Sequence, residues 1–189
     1  MKHSKSVALT AMVLVALVLT ACSESQTPAA VYETVRQCVA GGKFTEAQCR
    51  GAMLRAKFQH ATVSPKYRIE ADCEADFGSG NCQSTPHRTR SGNRLFMPLM
   101  KGFLFGRTAD GRRSAAAQPL YRAGNDPGTY RNADNLSVST KTGLVQVPES
   151  VMNPPSPKRV TLPRGGFGAG ARTYRSGGGT RQRRPSYGG

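Results

Sequence analysis

Tryptophan is absent from the 189-residue sequence, histidine occurs only three times, and 11 acidic residues face 27 basic ones. So little aromatic and imidazole chemistry argues against an aromatic-walled substrate pocket and against a histidine-rich metal centre. No two cysteines stand in C-x-x-C spacing, so neither a zinc ribbon nor a tuned redox dithiol is indicated. A phosphate-cradling loop is also missing, because Gly177-Gly178-Gly179-Thr180 lacks the lysine and the strand–turn–helix context. His60 and His87 belong to no nucleophile or metal motif, and Glu70, Asp72, Glu74 and Asp76 alternate, which reads as a solvated helix face. With 38% apolar residues, 21 glycines and 12 prolines, a large core is not expected. The reading is therefore of a chain without catalytic constellation, cofactor or metal.

Long hydrophobic runs are equally scarce, and the one that is present lies at the start. A basic segment, Met1 to Ser6, precedes the almost wholly apolar Val7–Leu19 and the small residues Thr20 and Ala21. Such a segment reads as an export signal, too short to be taken first as a membrane span. Its end, Leu19-Thr20-Ala21-Cys22, resembles the bacterial lipobox. That resemblance implies cleavage between Ala21 and Cys22, a diacylglycerol thioether on the Cys22 thiol and a further acyl chain on its freed amine. Several chains hold a protein on a bilayer where one gives only reversible binding. Ser23 in place of aspartate resembles lipoproteins sorted to the outer membrane of Gram-negative bacteria, so the periplasmic face of that membrane is favoured over the inner membrane.

Charge is distributed unevenly along the rest. Removing residues 1–21 takes away Lys2 and Lys5, so +16 becomes +14; residues 22–83 carry seven basic and seven acidic side chains, and residues 84–189 hold all the excess. The same distal part holds 16 of the 21 glycines and 10 of the 12 prolines. Residues 22–29 read as a lipid-anchored linker, 30–83 as a cysteine-bearing head, 84–111 as a loop, and 112–189 as a low-complexity basic tail.

In the head, Val31, Val35, Cys38 and Val39 share one helical face and Gly41-Gly42 stops it. Thr45-Glu46-Ala47-Gln48 spells a capping box, Phe44 is placed to staple against position 49, and a second helix is predicted from about Thr45 to His60. Ser64-Pro65 offers a third start, with Ile69, Cys73 and Phe77 at steps of four before Gly78. The expected fold is mainly α: a small three-helix head, followed by a largely irregular or disordered tail. A head of about 50 residues needs staples. Cys38, Cys49, Cys73 and Cys82 form an even remainder, and an exported chain uses such a set as two disulfides. Short-loop closure favours Cys38–Cys49 with Cys73–Cys82 over the crossed Cys38–Cys82 with Cys49–Cys73.

The apolar island from Leu95 to Gly106 contains Phe96, Met97, Leu99, Met100, Phe103, Leu104 and Phe105. With Pro98 and Lys101 inside, it is too short to span a bilayer. Three readings stay open: packing on the head, interfacial insertion or partner contact beside the anchor, and self-association through Gly102-x-x-x-Gly106. The C-terminal Arg/Gly-rich segment, with Phe167, Tyr174 and Tyr187 interleaved, would suit RNA in a cytosolic protein. Export argues against nucleic acid and toward anionic lipid, lipopolysaccharide or wall polymer, or a solvated tail with no single partner.

These features together resemble the YgiB family of uncharacterised bacterial lipoproteins (domain of unknown function 1190). The matching residues are the lipobox, Ala71-Asp72-Cys73-Glu74-Ala75-Asp76-Phe77-Gly78-Ser79-Gly80-Asn81-Cys82, Phe96-Met97-Pro98-Leu99-Met100 with Gly102 and Gly106-Arg107, Gln118-Pro119-Leu120, and Arg164-Gly165-Gly166-Phe167-Gly168. The tail departs from the family in its arginine content. What the resemblance implies is envelope location and no reaction. The expected role is a non-enzymatic, lipid-anchored envelope protein that meets an anionic component or an envelope protein; the alternative is an accessory subunit docking an envelope enzyme.

Overall fold

The computed structural model describes residues 24–89, 91–107, 114–158 and 161–171. Along the chain run β1 (Gln26–Tyr32), α1 (Val35–Ala40), α2 (Glu46–Val63), α3 (Glu70–Phe77), β2 (Cys82–Arg88), β3 (Arg94–Pro98), β4 (Gly102–Arg107), β5 (Ser114–Ala123), β6 (Asp126–Arg131), β7 (Ser137–Ser139), β8 (Gly143–Pro148) and α4 (Glu149–Met152). Six strands form one antiparallel sheet in the order β7-β6-β5-β4-β1-β8, and β2 pairs with β3 in a separate hairpin. The outermost strands β7 and β8 are consecutive in sequence, joined across residues 140–142, so the sheet curls until its edges lie side by side. A nearly closed barrel-like sheet of this kind leaves little free edge.

The expectation of a mainly α fold is therefore overturned, and so is that of an irregular tail over residues 114–152. The sheet joins the two halves, because β1 pairs on one side with β4 and on the other with β8. The physical reason lies in β1. Ala29, Ala30, Val31 and Tyr32 are all buried, since Ala29 and Val31 face the barrel interior while Ala30 and Tyr32 face the helices. A strand covered on both faces loses the alternation that identifies strands. Its apolar residues then merged with Val35 and Cys38 of α1 into an apparent helical stripe.

Period-two geometry recurs in β4 and β5. Leu104 and Leu120 point inward to Val31, Tyr130, Val138 and Val147. Phe103, Phe105 and Ala117 point outward under α2, and Tyr121 and Ala123 pack with Val63, Tyr67, Cys73, Phe77 and Phe167. The apolar island is thus divided between β3 and β4. Phe103, Leu104, Phe105 and Met97 are buried, and Phe96, Leu99 and Met100 half-buried. Packing on the rest of the fold accounts for Met97, Phe103, Leu104 and Phe105. Gly102 and Gly106 lie on a strand, not a helix. A Cβ at Gly106 would come within 2.9 Å of the Pro28 carbonyl oxygen and 3.0 Å of Ala29 Cα, so the bare backbone there permits the approach of β1.

Local signals set the helices. Thr45 caps α2, its side chain accepting from the Gln48 amide while the Gln48 side chain accepts from the Thr45 amide. Phe44 packs into the cluster that contains Cys49, with its ring 4.4 Å from that of Phe105. The third helix starts at Glu70 and not at Ser64-Pro65, because residue 67 bridges to Phe96 in extended conformation; it stops at Gly78. Cys38–Cys49 clasps α1 to α2, and Cys73–Cys82 ties α3 to β2, the pairing that short-loop closure favours. Gln118, inside the sheet, donates to the carbonyls of Val151 and Asn153 at 3.1 and 3.0 Å. These bonds hold α4, whose Val151 and Met152 fill the interior cluster.

Candidate functional site

The most strongly built polar site lies where α3 meets the last described segment. Asp76 is buried beside Phe77, so the alternating carboxylates are not one solvated face as expected; only Glu70, Asp72 and Glu74 remain at the surface or half-buried. One Asp76 carboxylate oxygen accepts from the Gly165 amide at 2.7 Å. The other accepts from the amides of Gly166 and Phe167, both at 3.1 Å, and from the Tyr67 hydroxyl at 2.8 Å. Successive amides converging on one anion form a nest. The Asp76 backbone carbonyl also accepts from Gly124 at 2.7 Å, which fixes α3 against the β5–β6 turn.

Neighbouring asparagines extend this clamp. Asn135 accepts from the Gly168 amide and donates to the Gly168 carbonyl, each at 3.0 Å, and Asn125 donates to the Ala169 carbonyl at 2.9 Å. Gly168 has φ +99, and a Cβ there would run into the side chains of Asn125 and Ala123, which makes glycine necessary. Phe167 inserts between Phe77 and Tyr121, with centroids 4.7 and 6.0 Å away. The strap is thereby held by charge-assisted bonds and by burial of an aromatic ring. Chemically, the nest is an anion site already filled by the protein's own carboxylate. The recess beside it, about 230 Å³ and open to solvent, is lined partly by Asp76, Asn125 and Arg164.

A second buried polar group adjoins the first through Tyr121. His60 Nδ1 lies 2.9 Å from the Tyr121 hydroxyl, and its Nε2 is buried without a partner. Burial, and then the nearby Lys66 charge, depress the His60 pKa to about 4, so the ring is neutral near pH 7. Lys66 is itself buried, donating to the carbonyls of Thr62 and Ser64 at 3.1 and 3.2 Å. Burial first, and Lys158 second, lower its pKa. Burial also raises the Tyr121 pKa, and burial together with Asp76 raises that of Tyr67. The nearby Ser64 hydroxyl donates to Met97 Sδ at 3.3 Å and not to the imidazole.

At the barrel rim the Tyr130 hydroxyl donates to Glu33. The Arg122 guanidinium lies 3.3 Å from Glu33 and 4.2 Å above the Tyr130 ring centroid. Burial, and then the bond to Glu33, push the Tyr130 pKa up to about 12. The outer surface shows a different anomaly: on α2, Leu54 is 66% and Phe58 84% exposed.

Among the described residues there is no cluster of three histidine, cysteine or acidic side chains able to hold a metal, and no helix is long and apolar enough to cross a membrane. Cys22, Ala21 and the signal-like segment lie outside the described residues, as do Tyr174, Tyr187 and the arginines between them. Cys38, Cys49, Cys73 and Cys82 are in the two disulfides. His87 is exposed on β2, far in role from the buried His60. The Asp76 clamp escaped sequence reading. Its signal was the pairing of Asp-Phe-Gly with Gly-Gly-Phe-Gly, two glycine-bearing motifs that start 89 residues apart and meet only in the fold.

A family model described as a protein of unknown function (DUF1190) matches residues 26–178. The chain is similar to a UPF0441 protein of Erwinia tasmaniensis, 31% identical over 182 residues that cover 88% of this chain and 81% of the relative. It is likewise 31% identical over 183 residues to a UPF0441 protein of Klebsiella pneumoniae, with the same coverage. No solved structure matches.

Proposed function

Because the chain belongs to the DUF1190 family of proteins of unknown function, we propose its role from its own features: a non-catalytic, lipid-anchored protein of the bacterial cell envelope. Cys22 carries the lipid, and the folded domain is presented at the membrane surface, on the periplasmic face of the outer membrane. The basic C-terminal chain contacts anionic lipid, lipopolysaccharide or wall polymer.

The observation that carries this reading is the lipobox-like Leu19-Thr20-Ala21-Cys22 and its distance from the fold. Glu149 donates its amide to the Ser25 carbonyl at 3.0 Å, and the Ser25 hydroxyl bonds the Glu149 carboxylate at 2.8 Å. Ser25 is thus fixed to the fold, and it stands three residues after Cys22 in the sequence. A tether of that length spans at most about 10 Å, so an acylated Cys22 would hold the domain against the headgroups. The two disulfides support an oxidising compartment.

Replacing Cys22 with serine should move the protein out of the membrane fraction in its processed form or leave it unprocessed, and mass spectrometry of the native protein should show an acylated N-terminal cysteine. Unchanged membrane retention of a processed Cys22→Ser protein, or a native mass without acyl chains, refutes the anchor. Crosslinking from position 58 to one dominant envelope protein would instead decide for the second reading, an accessory subunit that docks an envelope enzyme.

A further inference from the structure

Helix α2 is built inside out. The first half of the side that covers the sheet is Cys49, Ala52 and Ala56, each fully buried and packed on Phe103, Phe105 and Ala117, and His60 and Val63 continue it. Small residues there let the helix sit close to the strands. Its largest apolar side chain, Phe58, points the other way together with Leu54: one turn apart and therefore stacked on one face, they are 84% and 66% exposed. Scattered exposed apolar residues need no explanation, but an aligned pair on a rigid helix does.

The surroundings of that pair are cationic. Arg50, Arg55 and Lys57 on α2 and Arg36 on α1 are exposed. Between residues 35 and 63 the sole acidic side chain is Glu46, and it is already paired with Arg50 at 2.5 Å. A recess between the two helices, lined by Arg36, Val39, Glu46 and Arg50 among others, continues the surface to Val39, which is 39% exposed. Apolar side chains rimmed by arginine and lysine match one kind of surface: acyl chains beneath anionic headgroups.

We propose that the exposed face of α2 is a membrane-contact surface, on which Leu54 and Phe58 enter the interfacial region of an anionic bilayer while Arg55 and Lys57 meet its headgroups. This deepens the lipid-anchor reading by naming the face and its ligand. The anchor supplies local concentration, and the α2 face sets the orientation of the barrel. A tethered domain needs only weak adhesion for this, because linkage converts the contact into an intramolecular event.

The absence of tryptophan makes the test direct. Phe58→Trp, at a position too exposed to affect folding, introduces the only indole. The full-length variant is purified from membranes and reconstituted into vesicles of phosphatidylcholine with or without phosphatidylglycerol, with brominated acyl chains as quencher. The expected result is a blue-shifted emission that brominated lipid quenches, dependent on phosphatidylglycerol and diminished by Arg55→Glu with Lys57→Glu. Neutralising either residue alone, as Arg55→Gln or Lys57→Gln, should weaken the contact about fivefold, since a juxtamembrane charge contributes roughly 1 kcal/mol, and the reversals to glutamate should weaken it further. An unquenched, water-like emission from protein that still floats with vesicles overturns the contact surface and leaves the anchor standing. Quenching without acyl mass on Cys22 upholds the surface and refutes the anchor. A blue shift that needs no vesicles and grows with protein concentration shows pairing of two copies through α2 and overturns the proposal, and so does the absence of both flotation and quenching.

Discussion

Removing the Asp76 carboxylate should detach the strap that closes the fold. In Asp76→Ala four donors lose one acceptor: the amides of Gly165, Gly166 and Phe167 and the Tyr67 hydroxyl. They are not equivalent. Tyr67 is fully buried and Phe167 2% exposed, so their donors have no water to turn to, whereas Gly165 and Gly166 are accessible enough to be rehydrated. Hydrogen bonds to a charged acceptor contribute about 1.5–3 kcal/mol each when their donors are stranded. Two stranded donors therefore set the expected loss at about 3–5 kcal/mol, a large share of the stability of an ordinary domain. Asp76→Asn retains shape and one acceptor oxygen but turns an N–H₂ toward other donors, for an expected loss of about 2–3 kcal/mol. Tyr67→Phe removes one donor of the four and should cost about 1 kcal/mol. Urea unfolding with both disulfides oxidised measures these differences. Hydrogen exchange at residues 165–167 should rise in Asp76→Ala before the barrel strands are affected. A loss below about 1 kcal/mol, or unchanged exchange at those amides, would refute the reasoning that this carboxylate holds the strap.

Two further outcomes follow from the buried groups. His60 has its pKa depressed from the ordinary histidine value of about 6.5 to about 4 in the fold, so the unfolded chain binds its proton first on acidification. Its stabilising effect is complete above pH 6.5, is lost progressively as pH falls toward 4, and changes no further below that, a difference of about 3 kcal/mol. Urea midpoints measured from pH 7 to 4 should fall more steeply for the native protein than for His60→Gln; parallel curves would exclude His60 as the source. Gly106→Val places a Cβ against the backbone of Pro28 and Ala29, which cannot yield without parting β1 from β4, for an expected cost of about 2–3 kcal/mol. Gly128→Ala, on β6 with open space around it, should leave the thermal midpoint nearly unchanged, and equal effects of the two would contradict the close-approach explanation.

Signals that act over a few residues were readable from the chain. The Thr45–Gln48 capping box and the stops at Gly41 and Gly78 have local causes, in orphan amides and turn chemistry. The disulfides, at separations of 11 and 9 residues, follow from the same locality, because short loops close at least cost. The strands that carry the barrel were less legible. Phe103, Leu104 and Phe105 are apolar without alternation because one face meets α2 and the other the barrel interior. Such a run is equally consistent with a buried strand, an inserting segment or a packed helix. The glycines and prolines of the distal half read as breakers of order, yet Gly106 permits strand approach and Pro98 ends a paired strand.

By itself, then, the sequence determined the start of α2, the stops of α1 and α3, the disulfide partners and the family to which the chain belongs, all properties written in contiguous motifs or short separations. Tertiary structure alone decided that the neutral head and basic tail share one sheet. It also decided that Asp76 turns inward to meet Gly165–Phe167, and that Phe58 is left in solvent while Ala52 and Ala56 face the core. Each of these depends on which distant surface covers a residue, and a one-dimensional pattern records an environment only when one of its two faces is water.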